Sequence, residues 1–275
     1  MSDLYAVIGN PVAHSKSPLI HAGFARQTGQ DIHYEAILAP LDGFVETVVA
    51  FRQRGGKGAN VTVPFKLEAC ALSSRLTERA KAAGAVNTLV FEADDILGDN
   101  TDGAGLVRDI VVNLGYALGG RRVLLMGAGG AARGVIRPVL EHEPAVLTIA
   151  NRTRQKADDL QQLFASSGNV VSTAYGDLRG QEFDLVINAT SASLHGDLPP
   201  QPKSIFAAAS LAYDMMYGKG HTPFLQFAQQ QGAARLADGI GMLVEQAAES
   251  FFLWRGTRPE TEPVIEMLRS SLGSP

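Results

Sequence analysis

The sequence has almost no cysteine, no long apolar run and little net charge. Its single cysteine, Cys70, cannot form an intramolecular disulfide, as is usual in a reducing compartment, and we expect it to be a small buried side chain. No apolar stretch approaches the roughly 20 residues of a membrane-spanning helix, and residues 1–5 lack the basic segment of a signal peptide. A net charge of −4 disfavours nucleic acid or an anionic membrane as partner. We therefore expect a soluble cytoplasmic protein.

A metal site is not expected either, because one cysteine and six scattered histidines give no ligand spacing. What the chain does have is enough apolar residues, 45% of 275, to build two domains of ordinary size. Short apolar strands alternate with helices almost from the first residue, which predicts an α/β protein with parallel strand pairing. The predicted strands cover residues 4–8, 34–38, 59–63, 86–91, 122–126, 146–150, 185–188 and 210–214. One predicted helix begins at Ser17, and the others cover 44–54, 65–72, 105–114, 131–140, 154–164 and 243–254.

A glycine-rich turn follows the apolar strand 122–126. Gly127-x-Gly129-x-x-Ala132 has the spacing of a dinucleotide fingerprint, in which the first glycine permits a tight turn and the second lets the backbone approach a pyrophosphate. The helix that follows would present free N–H groups to the phosphates. A lone match also occurs in purely structural turns, but the strand before it and the helix after it favour a nucleotide site. We therefore predict a Rossmann-like, doubly wound parallel sheet for this half of the chain.

The next strand ends in Asn151-Arg152-Thr153-Arg154, where NAD-binding folds usually carry an acidic residue for the ribose 2′-hydroxyl. Arginine instead suits a 2′-phosphate, because its planar fork makes paired, charge-assisted hydrogen bonds. These residues could also be ordinary helix-start residues, although basic groups at a helix N-terminus oppose the helix dipole. NADP is therefore favoured over NAD.

Polar side chains follow two strands of the first half. Ser17 precedes a proline and is expected to act as the N-cap of a helix, which would leave the hydroxyl of Ser15 free for a ligand. Asn60 and Thr62 alternate on one face of an apolar strand, so their side chains must form hydrogen bonds with a substrate hydroxyl or with neighbouring backbone groups. Lys66 at a strand end could be a catalytic group or a surface lysine. Asp102 could be its partner or only a helix cap.

Eight blocks distributed along essentially the whole chain resemble the shikimate dehydrogenase family, in its NADP-dependent biosynthetic form. They are Gly9–Pro18, Gly58–Lys66, Gly84–Thr88, Gly98–Gly103, Gly127–Ala131, Asn151–Thr153, Tyr213–Tyr217 and Ala237–Gln246. The resemblance implies reversible reduction of 3-dehydroshikimate to shikimate with NADPH in aromatic amino-acid biosynthesis. It implies a substrate-binding and catalytic domain at 1–101, an NADP domain at 102–238 and C-terminal helices at 239–275 that pack back on the first domain.

The same resemblance implies a role for individual residues. Lys66 matches the catalytic lysine, and Asp102 matches its carboxylate partner, which also binds substrate. The other substrate-binding positions are Ser15, Ser17, Thr62, Asn87, Tyr217 and Gln246. The cofactor-binding positions are Gly127, Ala128, Gly129, Gly130, Ala131, Asn151, Arg152, Thr153, Met215 and Gly239.

Two alternatives stay open at this point, together with one departure from the family pattern. A quinate/shikimate dehydrogenase that uses NAD, or an aminoshikimate-type relative, would share most of these motifs. A non-catalytic sensor of nucleotide or shikimate would keep the fold but has no need of both Lys66 and Asp102. Ser193, in the segment Ser191–Leu194, stands where relatives commonly carry glycine. The sequence does not distinguish a monomer from a homodimer.

Overall fold

The computed structural model describes residues 2–190, 192, 198 and 202–273. The chain divides into two compact units. The first comprises Met1–Gly105 and Val244–Ile265, and the second comprises Leu106–Leu243 and Glu266–Pro275. Residues 244–265 thus return to the first unit. The functional division at 1–101, 102–238 and 239–275 stays a prediction.

The elements of the first unit are β1 Asp3–Gly9, α1 Ser17–Thr28, β2 Ile32–Leu38, α2 Phe44–Gln53, β3 Gly56–Val61, α3 Lys66–Leu72, β4 Arg75–Leu76, α4 Glu78–Ala83, β5 Thr88–Phe91 and β6 Ile96–Asp99. The strands form a six-stranded mixed sheet in the order β2-β1-β3-β5-β6-β4. Strands β1, β2 and β3 are parallel, whereas β5 runs antiparallel to both β3 and β6. Apolar side chains of this sheet pack against α2 and α3 in a core that includes Phe44, Phe51 and Phe65.

The remaining elements of the chain are α5 Asp102–Arg108, β7 Arg122–Met126, α6 Gly130–Leu140, β8 Val146–Ala150, α7 Arg154–Phe164, β9 Val170–Thr173, β10 Phe183–Asn188, β11 Phe206–Asp214, α8 Pro223–Gln230, β12 Arg235–Ala237, α9 Ile240–Arg255 and α10 Glu262–Leu272. The second unit is built on a six-stranded, fully parallel sheet in the order β12-β11-β10-β7-β8-β9. Counted within the unit this is 6-5-4-1-2-3, the doubly wound Rossmann order, so the predicted fold is confirmed. Within the described ranges, no helix is both long and apolar enough to cross a bilayer.

Three local predictions are wrong at the level of single residues, and one of them concerns Asn87, which precedes β5 instead of lying in a strand that begins at residue 86. Ser17 is the first residue of α1 rather than its N-cap, because Lys16 already has helical backbone angles and caps the helix without a side-chain bond. Thr62 lies just after β3 rather than inside it, although its N–H still pairs with the carbonyl of Ile8 at 3.0 Å. The chain then turns, with the N–H of Phe65 bonded to the carbonyl of Thr62.

Candidate active site

One edge of the first sheet gathers the predicted substrate and catalytic residues. Strands β1 and β3 are parallel and both end there, and antiparallel β5 begins there because Asn60 pairs with Thr88. Strand β6 is antiparallel to β5 and ends there, since Asp99 also pairs with Thr88. Four connections therefore meet at this edge, namely those after β1, after β3, before β5 and after β6. Helix α9 adds side chains from residues 244–255.

Lys66 and Asp102 form an ion pair at this edge. The Nζ atom of Lys66 lies 2.5 Å from Oδ2 of Asp102, and the two side chains are 31% and 17% exposed. Lys66 is the first residue of α3, whereas Asp102 is the first residue of α5. The Asp102 carboxylate therefore faces the lysine instead of serving only as a helix cap. The lysine is partly buried and paired, which does not fit an ordinary surface lysine.

The second oxygen of Asp102 is held by Asn87, which is almost completely buried. Nδ2 of Asn87 donates to Oδ1 of Asp102 at 2.8 Å and to the hydroxyl of Thr101 at 2.9 Å, and it lies 3.4 Å from Oε1 of Gln246. Oδ1 of Asn87 accepts from the Thr101 N–H at 2.9 Å. Lys66, Asn87, Asp102 and Gln246, all predicted as site residues, are thus joined by hydrogen bonds in one cluster.

Asn60 is a structural residue rather than a ligand for substrate. Its Oδ1 accepts from the Tyr34 hydroxyl at 2.7 Å, and its Nδ2 donates to the hydroxyls of Ser250 at 3.0 Å and Thr88 at 3.2 Å. The polar stripe expected on the third strand is therefore satisfied by protein at Asn60. Sequence reasoning missed Ser250 and Tyr34. Ser250 is a small polar residue in the mostly apolar helix α9, which is a weak local signal that could have found it.

The serines after β1 lie at the same edge. Ser15 is half-buried, and its Oγ accepts the N–H of Ser17 at 3.3 Å, so its hydroxyl is not wholly free as expected but keeps its hydrogen to donate. Ser17 is buried beside Tyr34. Burial raises the Tyr34 pKa well above its ordinary value, and a hydrogen bond with Ser17 opposes that shift. Thr62 is half-buried.

The glycine-rich turn of the second unit directly follows β7. Strand β7 lies between β8 and β10, where the order of the strands in the sheet reverses, and this switch point is the usual ligand site of such sheets. Gly127 has φ +109°, and a Cβ there would lie 3.2 Å from the Thr190 side chain. Gly129 and Gly130 face open space, where a Cβ would meet nothing within 4 Å. Helix α6 begins at Gly130 with no capping side chain and no acidic residue in its first turn. This end of α6 therefore suits a phosphate group.

The segment after β8 lies beside this turn, because Ala150 pairs with Met126 and its carbonyl accepts the Gly127 N–H at 2.8 Å. The amide of Asn151 donates to the carbonyl of Thr153 at 2.8 Å and shapes the segment. Arg152 is exposed. Burial raises the pKa of Tyr175 to about 12, and the charge of Arg152 opposes that shift.

The remaining predicted cofactor residues meet on the other side of the switch point. The N–H of Met215 bonds to the carbonyl of Asn188, the last residue of β10. A Cβ on Gly239 would collide with the Met215 carbonyl, so glycine permits this approach. Tyr217, which is predicted to bind substrate, also belongs to the second unit and is half-buried, and burial together with the charge of Asp238 raises its pKa. Ala128 and Ala131 belong to the glycine-rich turn and the first turn of α6.

Comparison with known proteins extends over the whole chain. The chain is 90% identical over 275 residues to the NADP(+) shikimate dehydrogenase of Nitrosospira multiformis, with complete coverage of both chains. The chain belongs to the shikimate dehydrogenase family. The family's relative from Nitrosomonas europaea is 64% identical over 99% of both chains. The shikimate 5-dehydrogenase of Thermus thermophilus, solved in complex with NADP(H) and shikimate, superimposes with a TM-score of 0.88 at 32% identity and covers 98% of this chain and 100% of its own.

Family models match three segments. The shikimate dehydrogenase substrate binding domain matches residues 7–89, the shikimate/quinate 5-dehydrogenase model matches 110–195, and the shikimate 5′-dehydrogenase C-terminal domain matches 239–269. The expected resemblance is therefore confirmed. The departure at Ser191, Ser193 and Leu194 lies outside the residues that the structure describes.

Proposed function

We propose that this protein catalyses the reversible reduction of 3-dehydroshikimate to shikimate with NADPH. The observation that carries the proposal is the Lys66–Asp102 pair, with its atoms 2.5 Å apart and its carboxylate fixed from the other side by Asn87. A protein that only sensed shikimate or nucleotide would not need a proton donor held in this way. Family membership supplies the substrate class, and the side chains supply the chemistry.

When bound, NADPH supplies a hydride to the C3 carbonyl carbon of the substrate. The ammonium of Lys66 gives a proton to the carbonyl oxygen as negative charge develops there, and in the reverse direction the neutral amine takes it back. Asp102 orients the ammonium and accepts a hydrogen bond from a ring hydroxyl. General acid catalysis of this kind contributes roughly 10²- to 10⁴-fold in rate.

The remaining polar groups of the site suit the rest of the substrate. We assign the substrate's carboxylate and hydroxyls to Ser15, Ser17, Thr62, Asn87 and Gln246 of the first unit and, on the family resemblance alone, to Tyr217 of the second. Ser15 keeps a hydrogen to donate, because its oxygen is the atom that accepts the Ser17 N–H. A carboxylate needs such donors, whereas ring hydroxyls can donate to or accept from amide groups such as Asn87 and Gln246.

The second unit has the features needed for NADP. The open backbone at Gly129 and Gly130 and the uncapped start of α6 suit a pyrophosphate. Arg152 is exposed beside this turn, in the position where a side chain would bind the 2′-phosphate of NADP. We assign the cofactor to Gly127–Ala131, Asn151, Arg152, Thr153, Met215 and Gly239. We place the protein in the cytoplasm, which suits its single thiol.

The test is a spectrophotometric assay of NADPH formation with shikimate, and with NAD or quinate in parallel. Rapid turnover of shikimate with NADP only is the expected result. Turnover with NAD or of quinate would move the protein to the catabolic branch of the family. Binding of nucleotide without any turnover would contradict the proposal and favour a sensor.

A further inference from the structure

A buried carboxylate lies three residues before Asp102 and is not part of the proposed chemistry. Asp99, the last residue of β6, has a completely buried side chain. Oδ1 accepts from Nε of Arg79 at 2.7 Å and from the Thr77 hydroxyl, and Oδ2 accepts from Nη2 of Arg79 at 2.5 Å. This is the paired geometry that a guanidinium makes with a carboxylate and that an ammonium cannot reproduce.

Asp99 is connected to Asp102 through Asn100. Oδ1 of Asp99 accepts the N–H of Asn100 at 2.8 Å, and Oδ1 of Asn100 accepts the N–H of Asp102 at 3.2 Å. The Asn100 amide also donates to the carbonyl of Ala85 at 3.1 Å. The backbone N–H groups of Asn100 and Asp102 therefore each donate to a side-chain oxygen. The first of these oxygens belongs to the Asp99 carboxylate, to which Arg79 donates.

The same arginine also reaches the helix that carries Gln246. Nη1 of Arg79 donates to Oε1 of Glu249 at 2.9 Å, and Glu249 lies three residues after Gln246 in α9. Burial alone would lower the pKa of Arg79, but the hydrogen bonds and charges of Asp99 and Glu249 raise it. Arg79 thus stays charged and joins the two segments that supply Asp102 and Gln246 to the substrate site.

We propose that Arg79 is a positioning residue for the reaction, which acts by fixing Asp99 and hence the place of the Asp102 carboxylate beside Lys66. This rests on the proposed function. A displacement of about 1 Å in a catalytic group can cost on the order of 100-fold in rate. A structural ion pair of the same burial, placed elsewhere in the unit, would stabilise the fold without affecting the reaction.

The test substitutes Arg79→Lys, which keeps the charge but loses the paired geometry. We expect kcat/KM for shikimate to fall by about 10- to 100-fold, with the KM for NADP within about twofold of wild type. Arg255→Lys is the control, because Arg255 also bonds a carboxylate of the first unit, Asp3, and its side chain is 20% exposed against 26% for Arg79, although Asp3 is 37% exposed and Asp99 is fully buried. The control should keep the wild-type kcat/KM.

A double-mutant cycle with Asp102→Asn separates positioning from general stability. If Arg79 acts through Asp102, Arg79→Lys should cost less than about threefold in the Asp102→Asn background. An equal loss in both backgrounds, or an unchanged kcat/KM in the single variant, would overturn the inference. Should Arg79→Lys not fold, Thr77→Val removes another contact on Asp99 and is tested in the same cycle. Wild-type turnover of shikimate is measured first, so failure of the proposed function is recognised separately.

Discussion

The predicted substrate site consists mainly of side chains, whereas the predicted cofactor site consists mainly of backbone groups. In the first unit, Lys66, Asn87, Asp102 and Gln246 are joined side chain to side chain by hydrogen bonds. In the second unit, the glycine-rich turn offers backbone groups and open space around Gly129 and Gly130. The first site is an arrangement of polar side chains fixed before any substrate arrives, whereas the second is a shape that the backbone leaves open for a ligand.

This difference predicts how each site responds to substitution. Polar groups fixed in advance lower the cost of reorganisation during the reaction, so a change in one of them should affect kcat. A backbone cradle contributes mainly to binding, so its side-chain neighbours should affect the affinity for the cofactor. Substitutions in the two units can therefore test the comparison directly.

The largest effect is expected for Lys66→Ala. Loss of the proton donor should lower kcat by roughly 10²- to 10⁴-fold with little change in KM, measured as steady-state turnover of shikimate with NADP. Lys81→Ala is a suitable control, because Lys81 pairs only with its exposed neighbour Glu78 among the ion pairs of the described residues. A loss of less than about tenfold would remove Lys66 from the catalytic role.

A smaller effect, on binding, is expected for Arg152→Ala. Loss of a charge-assisted contact should weaken NADPH by roughly 1.5–3 kcal/mol, about 10- to 150-fold in Kd, and leave NADH almost unchanged. Arg154→Ala is the matched control, because Arg154 is engaged with Asp158 and Asp177. Kd values from fluorescence titration decide the point. Equal weakening of both cofactors would make Arg152 a structural residue.

Four of the six strands in each sheet are predicted, but the bounds are more exact in the second unit, where the strands end in recognisable turns. The observed bounds Arg122–Met126, Val146–Ala150 and Arg154–Phe164 are those predicted. Strands β9 and β12 and helix α8 were missed, because Val170–Thr173 and Arg235–Ala237 are short and Pro223–Gln230 has a brief apolar pattern. Fingerprint spacing is a local property, so the nucleotide turn could be located without any knowledge of tertiary contacts.

The first site could not be assembled from local patterns. Asn87 meets Gln246 across 159 residues, and Asn60 meets Ser250 across 190. Strands β4 and β6 were also missed, and only β6 brings Asp99 and the following Asn100-Thr101-Asp102 to the edge where Asn87 lies. Family resemblance supplied the residue list, whereas the geometry that joins those residues is a property of the folded sheet.

The first unit should be sensitive to acid, because a histidine is buried among its aromatic side chains. His21 is completely buried and stacks on Tyr34 with ring centroids 4.2 Å apart. Burial lowers its pKa to about 3 from 6.5, a shift that Asn60 only partly offsets, and neither ring nitrogen has a hydrogen-bond partner of normal geometry within the described residues.

Between pH 6.5 and about 3 the unfolded chain therefore binds a proton at His21 that the folded chain does not. Stability should fall as the pH decreases through this window, and His21 should account for about 2 kcal/mol of the loss between pH 7 and pH 5. His21→Phe should remove that part of the slope in urea unfolding, whereas Phe24→Leu in the same aromatic cluster should lower stability equally at both pH values. An unchanged slope in His21→Phe would show that His21 finds a partner for its proton in the folded protein.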